Sequence, residues 1–358
     1  MNIALIIYGS MDTISGGYLY DRKLVEYLRN SGHQVDILSL PWRNYARHLL
    51  DNFSDRMYHR IRQGQYNVVL QDELNHPSLI RLNARLKGRL PLISIVHHLR
   101  VSEVHSSIGI LSKLYRKIEW RYLNSVNAML FTSRATADTV KDFAGLPRLW
   151  HIAYPAASHL NSGVNSAKTH AEIPRVLFVG NVIKRKGVKT ILQSFVKLKN
   201  CRLTIAGQNS VEQAYTDELH QFIRINNLDD RVQFIGPVSA EELIRLYKSH
   251  DIFAMPSEHE GFGIVYLEAM SFALPVIASS AGGAKNIVLH GENGFLVDPG
   301  NSKQISQAIK ELSDPETFTR ISGNALRTYR KHPDWKSSMA GAERFINKIV
   351  AEWSGYEK

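Results

Sequence analysis

The sequence has one cysteine, Cys201, so a disulfide within the chain is impossible and a cysteine-rich metal site is excluded. No apolar run approaches the ~20 residues a helix needs to cross a bilayer. There is no Asp-x-Asp, no His-Glu-x-x-His and no cysteine pair, so neither a metal nor a resident cofactor is expected. No complete Gly-x-Gly-x-x-Gly follows a strand-like run, which disfavours a dehydrogenase. Short-period repeats and low-complexity tracts are also missing. Residues 1–10 lack a cationic n-region and run into a glycine turn, so they read as a first strand rather than a signal peptide. A reducing, cytoplasmic setting is the expectation.

What is present is the composition of a globular protein, 44% hydrophobic and 22% charged, in 358 residues. That length suits two ordinary domains. The net charge of +11 is uneven: residues 1–165 hold 20 Lys+Arg against 12 Asp+Glu, and the remainder 24 against 21. A basic first half points to an anionic partner or to a merely soluble basic surface. Nucleic acid is disfavoured, because the cations form no compact block and no nucleic-acid motif appears. An anionic membrane surface fits better. Residues 111–121, LSKLYRKIEWR, have the composition of an interfacial helix, although an amphipathic core helix looks similar and is the preferred reading.

Strand-like runs at 2–8, 35–40, 67–70, 91–96 and 128–132 alternate with helical stretches. A polar, aperiodic break at 158–173 precedes Pro174, and the alternation then restarts with runs at 175–179, 203–206, 232–235, 252–255, 275–278 and 294–297. The expected class is therefore α/β, with two doubly wound Rossmann-like domains facing a central cleft. The expected boundaries are 1–160 for the first domain, 161–173 for a linker, 174–334 for the second domain and 335–358 for a terminal helix.

Open parallel sheets bind ligands where strands end and helices begin. Residues 257–270, SEHEGFGIVYLEAM, follow such a strand and place Glu260 and Glu268 eight positions apart around Gly261-Phe262-Gly263. A glycine loop opening a helix presents backbone N–H groups to phosphate. Two carboxylates beside it suit a ligand with both phosphates and hydroxyls, such as a nucleotide sugar. Gly180-Asn181 and the cations Lys184, Arg185 and Lys186 follow the first strand of the second half; they fit a diphosphate leaving group or a solvated basic turn. Ser15-Gly16-Gly17 reads as an anion loop or a plain turn. His97-His98 ends the strand at 91–96, where a histidine could bind a substrate hydroxyl, or stabilise charge through its carbonyl, or be structural. Gly282-Gly283 reads as mainly structural.

PSEHEGFGIVYLEAM, LPVIASSAGGAKNIVLHGENGFLVDP, FVGNVIKRKGVKTIL and SGGYLYDRKLVEYLRNSGHQVDILSL together resemble glycosyltransferase family 4 (glycosyl transferases group 1), retaining enzymes of GT-B architecture. The resemblance covers most of the chain and is diffuse between 41 and 90. It implies a nucleotide-sugar donor in the second domain and an acceptor held mainly by the first. By this likeness Glu260 contacts the donor sugar and Glu268 the ribose. Phe262, Gly263 and Ile264 meet sugar and phosphates through their backbone. Lys186, with Arg185, binds the diphosphate, Gly16 and Gly17 close on it, and His97 lies near the sugar. Asn181 and Val238 border the nucleotide, and His98 is a candidate acceptor contact. The chain departs from the family in having Asn181 where arginine is common and Asn286 where glutamate is common.

The resemblance implies a retaining hexosyl transfer with no enzyme nucleophile, UDP-sugar being preferred over GDP-mannose, and the missing metal motifs add the expectation that it is metal-independent. Lipid, polysaccharide and small-molecule acceptors all remain open. A nucleotide-sugar epimerase or hydrolase, and a non-catalytic nucleotide-sugar-binding protein, are the other readings.

Overall fold

A computed structural model describes residues 1–103, 110–160 and 162–354. The chain divides into two compact units, Met1–Pro155 with the chain from Trp335 onward, and Ala156–Asp334.

The first unit runs β1 (Asn2–Tyr8), α1 (Gly16–Asn30), β2 (Gln34–Leu40), α2 (Tyr45–Leu50), α3 (Arg56–Gln63), β3 (Val68–Asp72), α4 (His76–Leu86), β4 (Leu92–Val96), α5 (Arg100–Glu103), α6 (Ile110–Leu123), β5 (Ala128–Phe131), α7 (Arg134–Ala144) and β6 (Leu149–Ile152). All strands are parallel, in the order β2-β1-β3-β4-β5-β6. Helices cover both faces of such a sheet, so β1 and β3–β5 are mainly apolar and buried along nearly their whole length, with Gln71, Asp72 and Ser94 as the buried polar exceptions. β6 has no counterpart among the strands expected from sequence. It is a half-exposed edge strand, Leu-Trp-His-Ile, and lacks the apolar run that marks its neighbours. In α6, Ile118, Tyr122 and Leu123 enter the core while Leu114 and Trp120 stay exposed, so the core reading of 111–121 holds for one side of the helix.

The second unit runs β7 (Arg175–Val179), α8 (Val188–Phe195), β8 (Arg202–Ala206), α9 (Gln213–Ile225), β9 (Val232–Gly236), α10 (Ala240–Ser249), β10 (Ile252–Met255), α11 (Ile264–Ser271), β11 (Val276–Ser279), β12 (Gly294–Val297), α12 (Ser302–Glu311) and α13 (Pro315–Lys331). Its parallel strand order is β12-β11-β10-β7-β8-β9. The direction of winding reverses between β7 and β10, which are hydrogen-bonded neighbours. In the first sheet the reversal falls between β1 and β3. These reversals are where a doubly wound sheet opens a crevice at its carboxyl edge.

The unit boundary lies between Pro155 and Ala156, ahead of the polar break at 158–173. That stretch is built into the second unit rather than strung between units. The backbone N–H of Lys168 donates to Ser322 Oγ at 2.8 Å, and its Nζ donates to the carbonyls of Lys248 and His250 at 2.7 and 2.6 Å. Polarity here reflects hydrogen bonding to the unit's surface, not freedom.

The last helix, α14 (Trp335–Ser354), belongs to the first unit and packs against α1 and β6. Met339, Ala342, Ile346 and Ile349 are buried at helical spacing. Ser338 Oγ donates to the Tyr154 carbonyl at 2.5 Å, and His33 Nε2 lies 2.9 Å from Glu343. Ile346→Ala, which empties a fully buried site, is expected to cost about 2–5 kcal/mol. Urea denaturation should show a lower midpoint with an unchanged slope for the affected transition; an unmoved midpoint would contradict this packing.

Candidate active site

In the second unit the loop after β7 carries a short 3-10 turn, Lys184–Lys186. It ends at Gly187, which has φ +74° and whose missing Cβ would overlap the Pro256 carbonyl. Only glycine permits that approach of the two central loops. Glu258 N–H then donates to the Arg185 carbonyl at 2.8 Å, fixing the loops together. Lys186 Nζ donates to Glu260 Oε1 at 2.5 Å, and Arg185 Nη1 reaches the same oxygen at 3.4 Å and the His259 carbonyl at 2.7 Å. Glu260 is only 8% exposed. Burial works to raise its pKa, but the charges of Lys186 and Arg185 outweigh it and hold the carboxyl below its ordinary value. It is therefore an anion at neutral pH.

The Gly282-Gly283 pair backs this loop. Gly283 N–H donates to the Glu260 carbonyl at 2.7 Å, and a Cβ at either glycine would overlap the backbone of Glu260 or Gly261. The pair is structural in that it shapes the loop that presents Glu260.

Phe262 is buried, with its ring centroid 5.7 Å from that of His332. Gly263 caps α11 and Ile264 is its first residue. Glu268, in the same helix and 5% exposed, accepts from Tyr247 Oη at 2.9 Å and lies 3.3 Å from His159 Nε2. Asn181 follows β7 and Val238 follows β9, so both stand at the carboxyl edge of the sheet. The structure thus joins Lys186, Arg185 and Glu260 directly and gives Glu268 a separate hydrogen-bonded pair of its own. Sequence reasoning misses His159 and Tyr247. His159 sits in the polar stretch that reads as a linker, and Tyr247 reads only as an inward helix residue.

In the first unit Ser15 caps α1, its side chain accepting from Tyr18 N–H at 3.3 Å, and Gly16 and Gly17 open the helix. Gly17 lies flat against the His97 ring, where a Cβ would be 3.5 Å from Cδ2. His97 Nε2 is 3.2 Å from Asp21 Oδ1, and Asp72, at the end of β3, completes a compact group. Burial opposes charging of His97, but Asp21, then Asp72 and Glu73, override it and lift its pKa to about 9. Asp72 is pushed up to about 6 by burial and by Asp21. The His97 carbonyl accepts from Thr132 and Thr136 hydroxyls at 3.3 and 3.2 Å. Its ring and its carbonyl are thus both already engaged. Asp21 and Asp72 do not stand out in the sequence; for Asp21, an aspartate on the otherwise apolar buried face of α1 is the available signal.

His98 is half-buried and acts electrostatically on Glu73. Glu73, His76 and Glu119 form a second buried group whose ligand-type atoms lie within 4.8 Å, as do those of Asp21, Asp72 and His97. Either donor set has the residue types that hold a metal ion. In the second set burial lifts Glu73 to about 7 and Glu119 to about 8, and lowers His76 to about 4. This set therefore carries much less charge than three ionisable groups suggest.

Two doubly wound units of this kind define the GT-B class, and solved structures agree. The chain is similar to sucrose-phosphate synthase from Thermosynechococcus elongatus (TM-score 0.82, 20% identity, 98% of this chain and 99% of that one). It is also similar to HepE of Anabaena in complex with UDP and glucose (TM-score 0.77, 19% identity, 96% and 99% covered). Residues 18–157 match the family model Glycosyltransferase Family 4, and residues 165–328 match Glycosyl transferases group 1. The chain belongs to the group 1/family 4 type of glycosyltransferases. Among curated relatives, an uncharacterized glycosyltransferase of Methanocaldococcus jannaschii is 24% identical over 399 residues, covering 99% of this chain and all of its own. Alpha-D-kanosaminyltransferase of Streptomyces kanamyceticus is 26% identical over 68% of this chain and 67% of its own length. D-inositol 3-phosphate glycosyltransferase of Corynebacterium glutamicum is 31% identical over 49% of this chain and 44% of its own length.

Asp21→Asn removes the charge nearest the His97 imidazolium. Ring-proton NMR should show the His97 midpoint falling from about 9 by roughly 1–3 units. Because the folded pKa lies above the unfolded one, the stability His97 contributes is present below about 6.5 and is lost as pH rises through 9. In Asp21→Asn that alkaline loss should shrink; an unchanged midpoint would show that Asp21 does not hold the proton.

Proposed function

We propose that this glycosyltransferase is a retaining, metal-independent hexosyltransferase using a nucleotide-sugar donor. We favour a UDP-sugar, then GDP-mannose, with a hydroxyl of a lipid, polysaccharide or small molecule as acceptor. The observation that carries the reading is the convergence of Lys186 and Arg185 on the buried Glu260 at the reversal point of the second sheet. Two cations with one carboxylate leave positive charge for a diphosphate, while the carboxylate accepts from sugar hydroxyls. Glu268, held by Tyr247, is suited to accept from the ribose. N–H groups at the start of α11, around Gly263 and Ile264, add fixed dipoles. Asn181, Val238 and Phe262 border the donor from the neighbouring strand ends. Gly16, Gly17 and His97 belong to the first unit, which holds the acceptor, with His98 a contact to it. The likeness to HepE, solved with UDP and glucose, supports the UDP preference.

In the proposed step the acceptor oxygen bonds to the anomeric carbon on the face from which the diphosphate departs. The carbon–oxygen bond to phosphate breaks, its electron pair leaves with the diphosphate, and a phosphate oxygen takes the acceptor proton. Lys186 and Arg185 lower the barrier by neutralising charge that grows as the diphosphate leaves. No cofactor takes part. A cytoplasmic location, with the basic first unit against an anionic membrane surface, belongs to the same reading. Among the described residues no helix is long and apolar enough to cross a membrane.

Donor binding should raise the thermal midpoint in a screen of UDP-, GDP- and ADP-sugars, since a ligand that binds only the folded chain stabilises it. No shift with any of them ends the nucleotide-sugar reading. NMR of the product should show the donor's anomeric configuration kept, and a chelator should leave the rate unchanged. Inversion, chelator sensitivity, or turnover without an acceptor would each replace part of this mechanism.

Lys186→Ala should lower turnover by at least ~10²-fold, the scale of losing one charge-stabilising group. Glu260→Ala should abolish transfer while the chain stays folded, as judged by circular dichroism. Steady-state kinetics that match the parent in either variant would remove that residue from the mechanism.

A further inference from the structure

The first unit contains a groove of about 430 Å³ that the donor site does not use. It begins at Ser39 and Leu40, the end of β2, and runs between α3 and α4. Each helix lines it with an arginine pair at i, i+4 spacing: Arg56 and Arg60 on α3, Arg81 and Arg85 on α4. Residues so spaced share a helix face, and like charges there repel. Arg43 lines the same groove. Among the described residues two acids pair with these five arginines. Asp55 pairs with Arg85, whose guanidinium also stacks 3.7 Å over Tyr58, and Asp51 pairs with Arg43 at 3.0 Å. Among the described residues, Arg56, Arg60 and Arg81 have no carboxylate partner. Two guanidiniums are therefore pinned in place and three more converge unpaired.

Apolar side chains stand beside this charge. Leu50, Met57, Leu79 and Leu82 line the groove, and Leu50 is 61% exposed. A solvated arginine face needs no such apolar border.

We propose that this groove is a phosphate-ester binding site, one that seats a phosphate carried on a less polar body. A carboxylate offers one charge, whereas a phosphate monoester carries nearly two and has three acceptor oxygens for guanidinium forks. The surplus of three positive charges in the groove matches the larger anion. The lipid headgroup and the soluble phosphorylated metabolite share this chemistry. The site lies wholly in the first unit, so it extends the acceptor and membrane side of the proposed function and stands independently of the donor site.

The test has two arms, both with the full chain at low ionic strength: calorimetric titration with glycerol 3-phosphate, and co-sedimentation with phosphatidylcholine vesicles containing phosphatidic acid. Saturable binding is expected in at least one. It should fall at least ~10-fold in Arg60→Gln/Arg81→Gln, which loses two unpaired forks, and not in the charge-matched Lys141→Gln/Arg148→Gln on another part of the unit. Binding in the vesicle arm alone identifies a lipid headgroup, and in the soluble arm alone a free phosphorylated ligand. Absence of binding in both arms, or an equal loss in the two double variants, overturns the proposal. The thermal shift produced by UDP-glucose should be the same in both variants, so failure here is distinguishable from failure of the donor reading.

Discussion

The contact between Lys186 and Glu260 is the constraint on which the second unit is arranged. Both side chains are largely withdrawn from water. Removing one partner of such a pair leaves a buried charge uncompensated, at a cost of about 3–5 kcal/mol. The pair exists only because β7 and β10 are adjacent, so that the loops leaving them meet. Glycine at 187 lets those loops approach, and glycines at 282 and 283 let a third loop close behind them. The strand order, the glycines and the ion pair are three levels of one arrangement, and each is ineffective without the others.

The first unit reverses this polarity. At its own reversal point two buried acids, Asp21 and Asp72, surround one histidine, and the histidine stays protonated because of them. Where the second unit gathers cations around a carboxylate, the first gathers carboxylates around a cation. Gly17 against the His97 ring ties the opening of α1 to that charge. The basic character of residues 1–165 does not arise from this histidine–carboxylate group. Much of it comes from arginines on α3 and α4, whose groove is a separate electrostatic feature.

The sequence is most legible where one residue type answers one physical need. Apolar runs mark every strand but β6, most plainly where a strand is buried on both faces, as β1, β10 and β11 are. The Gly-Phe-Gly frame marks the loop that holds Glu260, since a strand, a glycine and a helix start must follow in that order. Side-chain partnerships are not legible. Nothing in the spacing of Asp21, Asp72 and His97 shows that they meet, because separate elements of the first unit deliver them. His159 is hidden by its polar surroundings, which resemble a linker when hydrogen bonds to Ser322, Lys248 and His250 cannot be seen. The arginine groove is hidden for a related reason. Arg56, Arg60, Arg81 and Arg85 fall in two separate helices of the region where the family likeness is diffuse, and only packing makes them one surface.

The buried acids also sort themselves by charge, and this bears on which of them can serve a sugar. Glu73 and Glu119 are lifted to about 7 and 8 by burial, so near neutrality they hold protons for much of the time. A protonated acid donates through its hydroxyl and accepts weakly. Glu260 lies under a comparable burial but is held anionic by two cations. An anionic carboxylate accepts hydrogen bonds from hydroxyls roughly twice as strongly as a neutral group does. A cation that turned from Glu260 toward a diphosphate would keep its charge nearby, so the carboxylate would stay ionised while the anion is held. The ion pair is thus a way of keeping an acceptor of hydrogen bonds from hydroxyls and a donor to phosphate in the same small volume, each stabilising the other in the charge state the proposed chemistry requires.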